Sequence, residues 1–299
     1  MGTVATLLKD PPHKKPPWLK VKLPTHENFF YVSALVRKHN LNTICQSAKC
    51  PNVSECWSHR TATFLILGDV CTRDCSFCAV IHGTPSFDFG EEAARVAESV
   101  DAMELRYVVI TSVTRDDLPD GGASHFADVI TAVREARPDT RIEVLIPDFE
   151  GDAKALAAVL EAGPDVLNHN LEVPGSLYPL INRPQENYRR SLQVLERAGQ
   201  AGAITKSGLM LGLGETREDI VRVLRDLRDV GCELLTIGQY LKATKNNPHV
   251  VEYYTPAEFE QLKAMSQEMG FSGVEAGPLV RSSYRAHRLY GELQHAKTN

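Results

Sequence analysis

From residue 61 onward the chain alternates between two hydrophobic rhythms. Short runs dense in aliphatic and β-branched residues occur at 61–69 (TATFLILGD), 107–113 (YVVITSV), 141–148 (RIEVLIPD), 166–173 (VLNHNLEV), 204–214 (ITKSGLMLGLG) and 234–242 (ELLTIGQYL). Between and after them lie stretches with helical apolar spacing: EEAARVAESVDAM, ASHFADVITAVREA, DAKALAAVLEAG, ENYRRSLQVLERAG, TREDIVRVLRDLRDVG and PAEFEQLKAMSQEMG. Continuous apolar runs are buried strands, and helices between them are the crossovers that parallel strands require. The pattern predicts an α/β protein with six βα units, a partial (βα)6 TIM-like barrel. A doubly wound open sheet is the rival, but no G-x-G-x-x-G fingerprint follows the first strand.

Ahead of the barrel the rhythm differs. Residues 1–24 are rich in Pro and Lys and predict an extended arm, because Pro fixes φ and removes a donor. The segment 28–40 (NFFYVSALVRKHN) has helical spacing and leads into a loop-like stretch, LNTICQSAKCPNVSECW. Three regions follow: an N-terminal extension at 1–60, the barrel at 61–280 and a C-terminal extension at 281–299.

Composition narrows the function. A chain of 299 residues with 43 % hydrophobic and 24 % charged residues is ordinary for a water-soluble protein. A net charge of −5 gives no global basic field for nucleic acid. No apolar run approaches the ~20 residues that cross a bilayer, and no signal peptide is evident, so the expected location is the cytoplasm and no membrane partner is expected. MGTVAT fits the loose Gly2 myristoylation pattern, a short and unspecific one. The absence of a heptad or an exposed apolar stripe predicts a monomer.

The seven cysteines change the picture most. Six fall between Cys45 and Cys78, as Cys45-x4-Cys50-x5-Cys56 and Cys71-x3-Cys75-x2-Cys78; Cys232 stands apart as a core thiol. An odd count in a chain of this length argues against a disulfide scaffold and for thiolates kept for metal. The second triplet occupies the loop after the first strand, where βα barrels place their chemistry. Three thiolates can hold an iron–sulfur cube and leave one iron open; zinc with His82 as fourth ligand is the alternative.

CTRDCSFC, with Phe77 before the last Cys, resembles the Cx3Cx2C signature of the radical S-adenosylmethionine superfamily. Paired with CQSAKCPNVSEC, it is similar to the lipoyl synthase family. TSVTRDDLPDGGASHF (111–126), NHNLE (168–172), KSGLMLGLGE (206–215), GQYL (238–241) and RSSYRA (281–286) extend the likeness past residue 25. The resemblance implies two [4Fe–4S] clusters. Cys71, Cys75 and Cys78 would hold the one that binds S-adenosylmethionine. Cys45, Cys50, Cys56 and, unusually, the hydroxyl of Ser283 would hold an auxiliary one that is consumed as the sulfur source. The implied reaction adds sulfur at C6 and C8 of an octanoyl chain on a lipoyl carrier domain, of a dehydrogenase complex or the glycine cleavage H protein. Two S-adenosylmethionine molecules are used per product. An electron donor such as ferredoxin or flavodoxin, and an iron–sulfur carrier that rebuilds the cluster, are the other partners. Another radical sulfur-inserting enzyme and a non-catalytic zinc module are the competing readings.

Supporting residues follow from strand ends. Thr111, Ser112 and Arg115 lie after the second strand, where the superfamily holds the methionyl moiety. Asn170 and Glu172, at the end of the fourth, are expected at the ribose or methionyl end, with a strand-end surface carboxylate as the plain alternative for Glu172. Gly212 and Gly214 suggest close backbone approach to a ligand. Arg189 or Arg190 could meet a carboxylate, although paired arginines on a helix more often form a solvated face. Arg281 is expected to position the Ser283 loop. His39 and His59 are read as structural or exposed.

Overall fold

The computed structural model describes residues 14–298, apart from 22 and 87; the Pro11, Pro12 and MGTVAT readings lie outside the described residues. The elements run in order: α1 (Glu27–Lys38), β1 (Asn42–Thr43), α2 (Ile44–Ser47), α3 (Val53–Ser58), β2 (Thr63–Ile66), β3 (Val70–Cys71), β4 (Ile81–His82), α4 (Glu92–Ala102) and β5 (Tyr107–Ser112). Then come α5 (Ala123–Ala136), β6 (Arg141–Leu145), α6 (Ala153–Glu161), β7 (Val166–Asn168), α7 (Glu186–Gln200) and β8 (Thr205–Leu211). The chain continues with α8 (Arg217–Asp229), β9 (Leu234–Gln239), α9 (Pro256–Glu268), β10 (Gly273–Gly277) and α10 (Ala286–Thr298).

All six strands expected from the apolar runs are present, in one sheet ordered β1-β2-β5-β6-β7-β8-β9-β10. From β2 to β10 every pairing is parallel; β1 joins β2 antiparallel. β10 is a seventh parallel strand beyond the six counted from sequence. Within this order β1 and β10 are edges that do not pair with each other, which is the partial barrel expected. The fourth strand is shorter than its apolar run, ending at Asn168, after which the chain bends toward the site.

The supposed loop around Cys45, Cys50 and Cys56 contains two short helices, α2 and α3, whose Cys45 and Trp57 are buried. The arm is not wholly extended either. Pro17–Leu19 forms a 3-10 turn, and Leu19 is completely buried. Burying a leucine is worth ~2 kcal/mol, enough to hold a short segment against the body.

The helices pack their apolar stripes outside the sheet in two clusters, one around β2, β5 and β6 and one around β8, β9 and β10. Helix starts are defined chemically. Thr216 and Asp219 form a capping box on α8, and Thr255 and Glu258 one on α9, with Pro256 at its first turn. Inside the barrel, toward the N-terminal ends of the strands, the filling is polar. Lys206 Nζ lies 2.8 and 3.0 Å from the Glu143 carboxylate, which also accepts from Tyr107 and Asn168. Lys206 and Glu143 are fully buried, so each charge depends on the other. Helix α10 packs on that end through Leu289, Leu293 and Tyr290. The opposite, C-terminal end is left for the site.

Candidate functional site

The loop after β2 starts from a strained corner. Leu67 adopts a left-handed φ of 66°, costly for a bulky residue. Its amide donates to Glu92, its carbonyl accepts from Arg115, and Gly122 leaves room for its side chain. Beyond it, β3 and β4 form a small parallel ladder that brings the chain from Cys71 around to His82. Asn247 donates to the Ser76 and Cys78 carbonyls, and Ser76 binds the carbonyls of Leu180 and Ile181. The loop is therefore fastened on two sides, and its sulfurs receive N–H donors. Arg73 and Thr114 amides approach Cys71 Sγ at 3.4 and 3.3 Å, the Val80 amide approaches Cys78 Sγ at 3.5 Å, and Arg183 Nε approaches Cys75 Sγ at 3.3 Å.

Cys45 on α2, Cys50 in the turn between the helices and Cys56 on α3 face the same space. The last segment closes on them. Asn52 donates to the Leu279 carbonyl at 2.6 Å, and Glu55 accepts from Tyr284 at 2.9 Å and Arg285 at 3.1 Å. The two serines of the 281–284 loop divide: Ser282 exchanges hydrogen bonds with Asn170, whereas among the described residues the Ser283 hydroxyl has no partner. Arg281, enclosed in the wall, acts electrostatically on Cys50.

All six cysteines, with Ser283, line one cavity of about 620 Å³ at the C-terminal ends of the strands. Thr111, Ser112, Asn170 and Glu172 line it too. The Ser112 hydroxyl, in the wall of this cavity, is buried without a hydrogen-bond partner. Glu172 has a left-handed φ of 70°, and burial pushes its carboxyl upward against the pull of Arg183. Strain of this kind, ~1–3 kcal/mol, concentrates at functional positions.

Three expected residues are elsewhere. Arg115 is committed to Asp117 at 2.8 Å, to the Leu67 carbonyl and to the face of Phe89, so it braces the corner instead of facing a ligand. Arg189 is exposed on α7, and its neighbour Arg190 turns to Asp148 at 3.5 Å. Gly212 does meet close backbone and side-chain approach, but from Glu252 and Gln239, and its amide is taken by Glu215. Residues missed from sequence include Arg183, which lies over Phe77 and beside Cys75, and Arg73. Arg73 spans Asp116 and Asp148 at 2.7 Å each. Burial opposes ionisation of Asp148, but the Arg73 hydrogen bond and charge outweigh it and hold the carboxyl at about 2.

The donor set fits clusters better than one zinc ion. Among the described residues no three His, Cys, Asp or Glu side chains close around a single metal ion. His82 is exposed and does not line the cavity. A cube asks instead for one thiolate per iron, with sulfurs set apart and bonded by N–H groups. All seven cysteines are free thiols. Burial pushes Cys45 and Cys78 up to about 11 and raises Cys50 and Cys56, so the protein without its clusters keeps these thiols protonated and loading releases protons. Cys232 is wholly buried, as a core thiol should be.

Comparison with known proteins agrees with this arrangement. Residues 65–227 match the model of the Radical SAM superfamily. The chain is 53 % identical over 277 residues to the lipoyl synthase of Rubrobacter xylanophilus, covering 92 % of this chain and 86 % of that one. It is 52 % identical to that of Chlorobaculum parvum, covering 92 % and 94 %. Among solved structures, the FeFe-hydrogenase maturase HydG from Carboxydothermus hydrogenoformans superposes with a TM-score of 0.58 at 16 % identity, covering 88 % of this chain and 69 % of that chain. Streptococcus suis SuiB bound to S-adenosylmethionine gives 0.54 at 11 % identity, covering 73 % and 50 %. Those two likenesses concern the fold; the sequence relatives go further, and with them the chain belongs to the lipoyl synthase family of radical S-adenosylmethionine enzymes.

Proposed function

We propose that this chain inserts two sulfur atoms, at C6 and C8, into an octanoyl group carried on a lipoyl domain. The observation that carries the residue assignment is the convergence of two cysteine triplets from separate segments on one cavity. Cys71, Cys75 and Cys78 hold the cluster that binds S-adenosylmethionine; Cys45, Cys50, Cys56 and Ser283 hold the auxiliary one. When bound, these groups supply one-electron oxidation of unactivated C–H bonds, with two S-adenosylmethionine molecules per product, and the two sulfur atoms.

The chain's own part is placement. Asn170 and Glu172, with Thr111 and Ser112 beside them in the wall, form the polar part of the cavity. Arg183 directs its N–H at the Cys75 sulfur and fixes the orientation of that loop. Phe77, Val80, Ile146, Met210 and Leu241 give the cavity apolar wall for a thin hydrocarbon chain and keep water from it. Asn52, Glu55, Tyr284 and Arg285 keep the Ser283 loop against the first triplet. The functional regions are 1–60, 61–280 and 281–299, as the motifs divide them. Ferredoxin or flavodoxin serves as electron donor, an iron–sulfur carrier rebuilds the auxiliary cluster, and the enzyme works in the cytoplasm as a monomer. No helix among the described residues is long and apolar enough to cross a membrane.

Anaerobically reconstituted protein should contain about eight irons per chain, four per cube. Replacing Cys45, Cys50 and Cys56 together by Ala should halve the iron, preserve S-adenosylmethionine cleavage and abolish thiolated product by mass spectrometry. Product formed by that variant would falsify the sulfur-source assignment.

A further inference from the structure

The cavity wall has a charge pattern that the chemistry inside it does not use. The whole chain carries −5, yet cations predominate around this opening. Its two acids are committed inward: Asp148 to Arg73 and Arg190, and Glu172 to Asn170 and the field of Arg183. The three lysines of the wall, Lys15, Lys49 and Lys242, are different. Among the described residues the lysines in ion pairs are Lys206 and Lys263, and none of these three meets a carboxylate. Lys15 and Lys49 are exposed; Lys242 is half-buried, with its Nζ 3.4 Å from His249 Nε2.

They come from three distant parts of the chain: the N-terminal arm, the turn before Cys50 and the loop after β9. Lys49 holds a left-handed φ of 51°, a conformation that Gly or Asn would adopt at less cost. The arm adds apolar surface beside Lys15. Val21 is 49 % exposed and lines the cavity, and Leu23 is 85 % exposed. Large apolar side chains left in water beside unpaired cations have the composition of a docking surface, with an apolar centre and a charged rim.

We infer that Lys15, Lys49 and Lys242, with Val21 and Leu23, form the landing surface for the octanoylated carrier domain, and that this domain presents an acidic face around its modified lysine. This rests on the reading of the activity above. The arrangement explains how a net-negative enzyme attracts an acidic protein. Exposed charges act within about 10 Å at 0.1 M salt, so the local lysines decide the encounter and the distant acids do not. The acyl-lysine arm then enters between the lysines, toward the cysteines behind them.

The test is a titration of fluorescently labelled octanoylated carrier domain with fully loaded enzyme, at low and at high salt. Two triple variants are compared. One carries Lys15→Glu, Lys49→Glu and Lys242→Glu; the other carries Lys38→Glu, Lys154→Glu and Lys263→Glu, away from the cavity, with the same change in net charge. The first should bind the carrier at least about tenfold more weakly at low salt, with the difference shrinking at high salt, and the second should bind like the unaltered chain. Equal weakening in both, or in neither, overturns the inference. So does tighter binding of RNA or of anionic vesicles than of the carrier domain. If the first triple variant loads iron poorly, Lys15→Gln and Lys242→Gln are titrated instead, with about threefold weakening expected from each and no change refuting the surface. Thiolation of a short octanoyl-lysine peptide is followed in parallel. Failure there counts against the activity reading, while the titration decides the docking surface on its own.

Discussion

Gly238 offers the sharpest mechanical test of how the cavity is walled. It sits in β9, paired to Met210 on one side and Gly277 on the other, so its backbone has little freedom to retreat. A Cβ built there falls 2.1 Å from the Val280 carbonyl oxygen and 3.0 Å from its carbon, where ordinary contact begins near 3.4 Å. In Gly238→Ala the Val280 carbonyl oxygen must therefore withdraw by about 1.3 Å, from 2.1 to 3.4 Å. The softer partner is the turn that carries Arg281 and Ser283. Overpacking of this kind costs ~1–3 kcal/mol, which leaves the fold standing. A displacement of ~1 Å in a reacting arrangement lowers a rate by ~10²-fold. The variant should lose iron from about eight toward about four per chain, keep the Cys71 cluster and S-adenosylmethionine cleavage, and make dihydrolipoyl product at roughly a hundredth of the normal rate. Iron analysis, a cleavage assay and product mass spectrometry read these separately. Full iron with unaltered product formation would show that contact between β9 and the 280–284 turn does not set the position of Ser283.

Two further outcomes follow from the charges. Asp148 has its pKa depressed from 3.8 to about 2. The associated stability is present above the unfolded value and is lost as the pH falls toward 2, so Asp148→Asn should destabilise by about 2 kcal/mol at pH 7 and by progressively less below pH 4. Denaturant unfolding at pH 7 and pH 3 checks this, and an equal gap at both would refute it. Arg183→Gln removes a cation and a charged N–H from beside Cys75, which makes an added electron less welcome. The Cys71 cluster should keep its iron but reduce at a lower potential in an EPR-monitored titration, and an unmoved midpoint would mean that Arg183 serves packing alone.

The barrel was legible because its strands are buried on both faces and so read as unbroken apolar runs, as in Phe64–Ile66 and Val108–Ile110. β10 escaped because GVEAG is short, has a Gly at each end and carries a half-buried Glu275 in its middle. The arm misled through its prolines, which speak for extension, while the burial of Leu19 depends on a surface formed by distant residues. Cysteine spacing marked both triplets, since ligand spacing is a local property. Ser283 was visible through its motif alone. Arg115 and Arg183 show the limit of strand-end reasoning. Arg115 follows a strand as expected but turns beneath the Leu67 corner, which calls for a counter-charge on its carbonyl side. Arg183 gains its place from the 3-10 turn before it and the left-handed Asn182, neither of which apolar periodicity records. Gly212 was read as a point of close approach to a ligand, whereas the approaching atoms belong to the protein itself.

The hydrogen bond from Asn52 to the Leu279 carbonyl joins residues 227 positions apart. During synthesis both cysteine triplets emerge while most of the barrel is still unmade, and for that whole interval six thiols stand without their far wall. The chamber gains its last wall, Val280 to Tyr284, only when the turn after the last strand leaves the ribosome. A nascent chain stalled after β9 would own all six of those cysteines but lack Ser283 and the carbonyl of Leu279 that Asn52 binds.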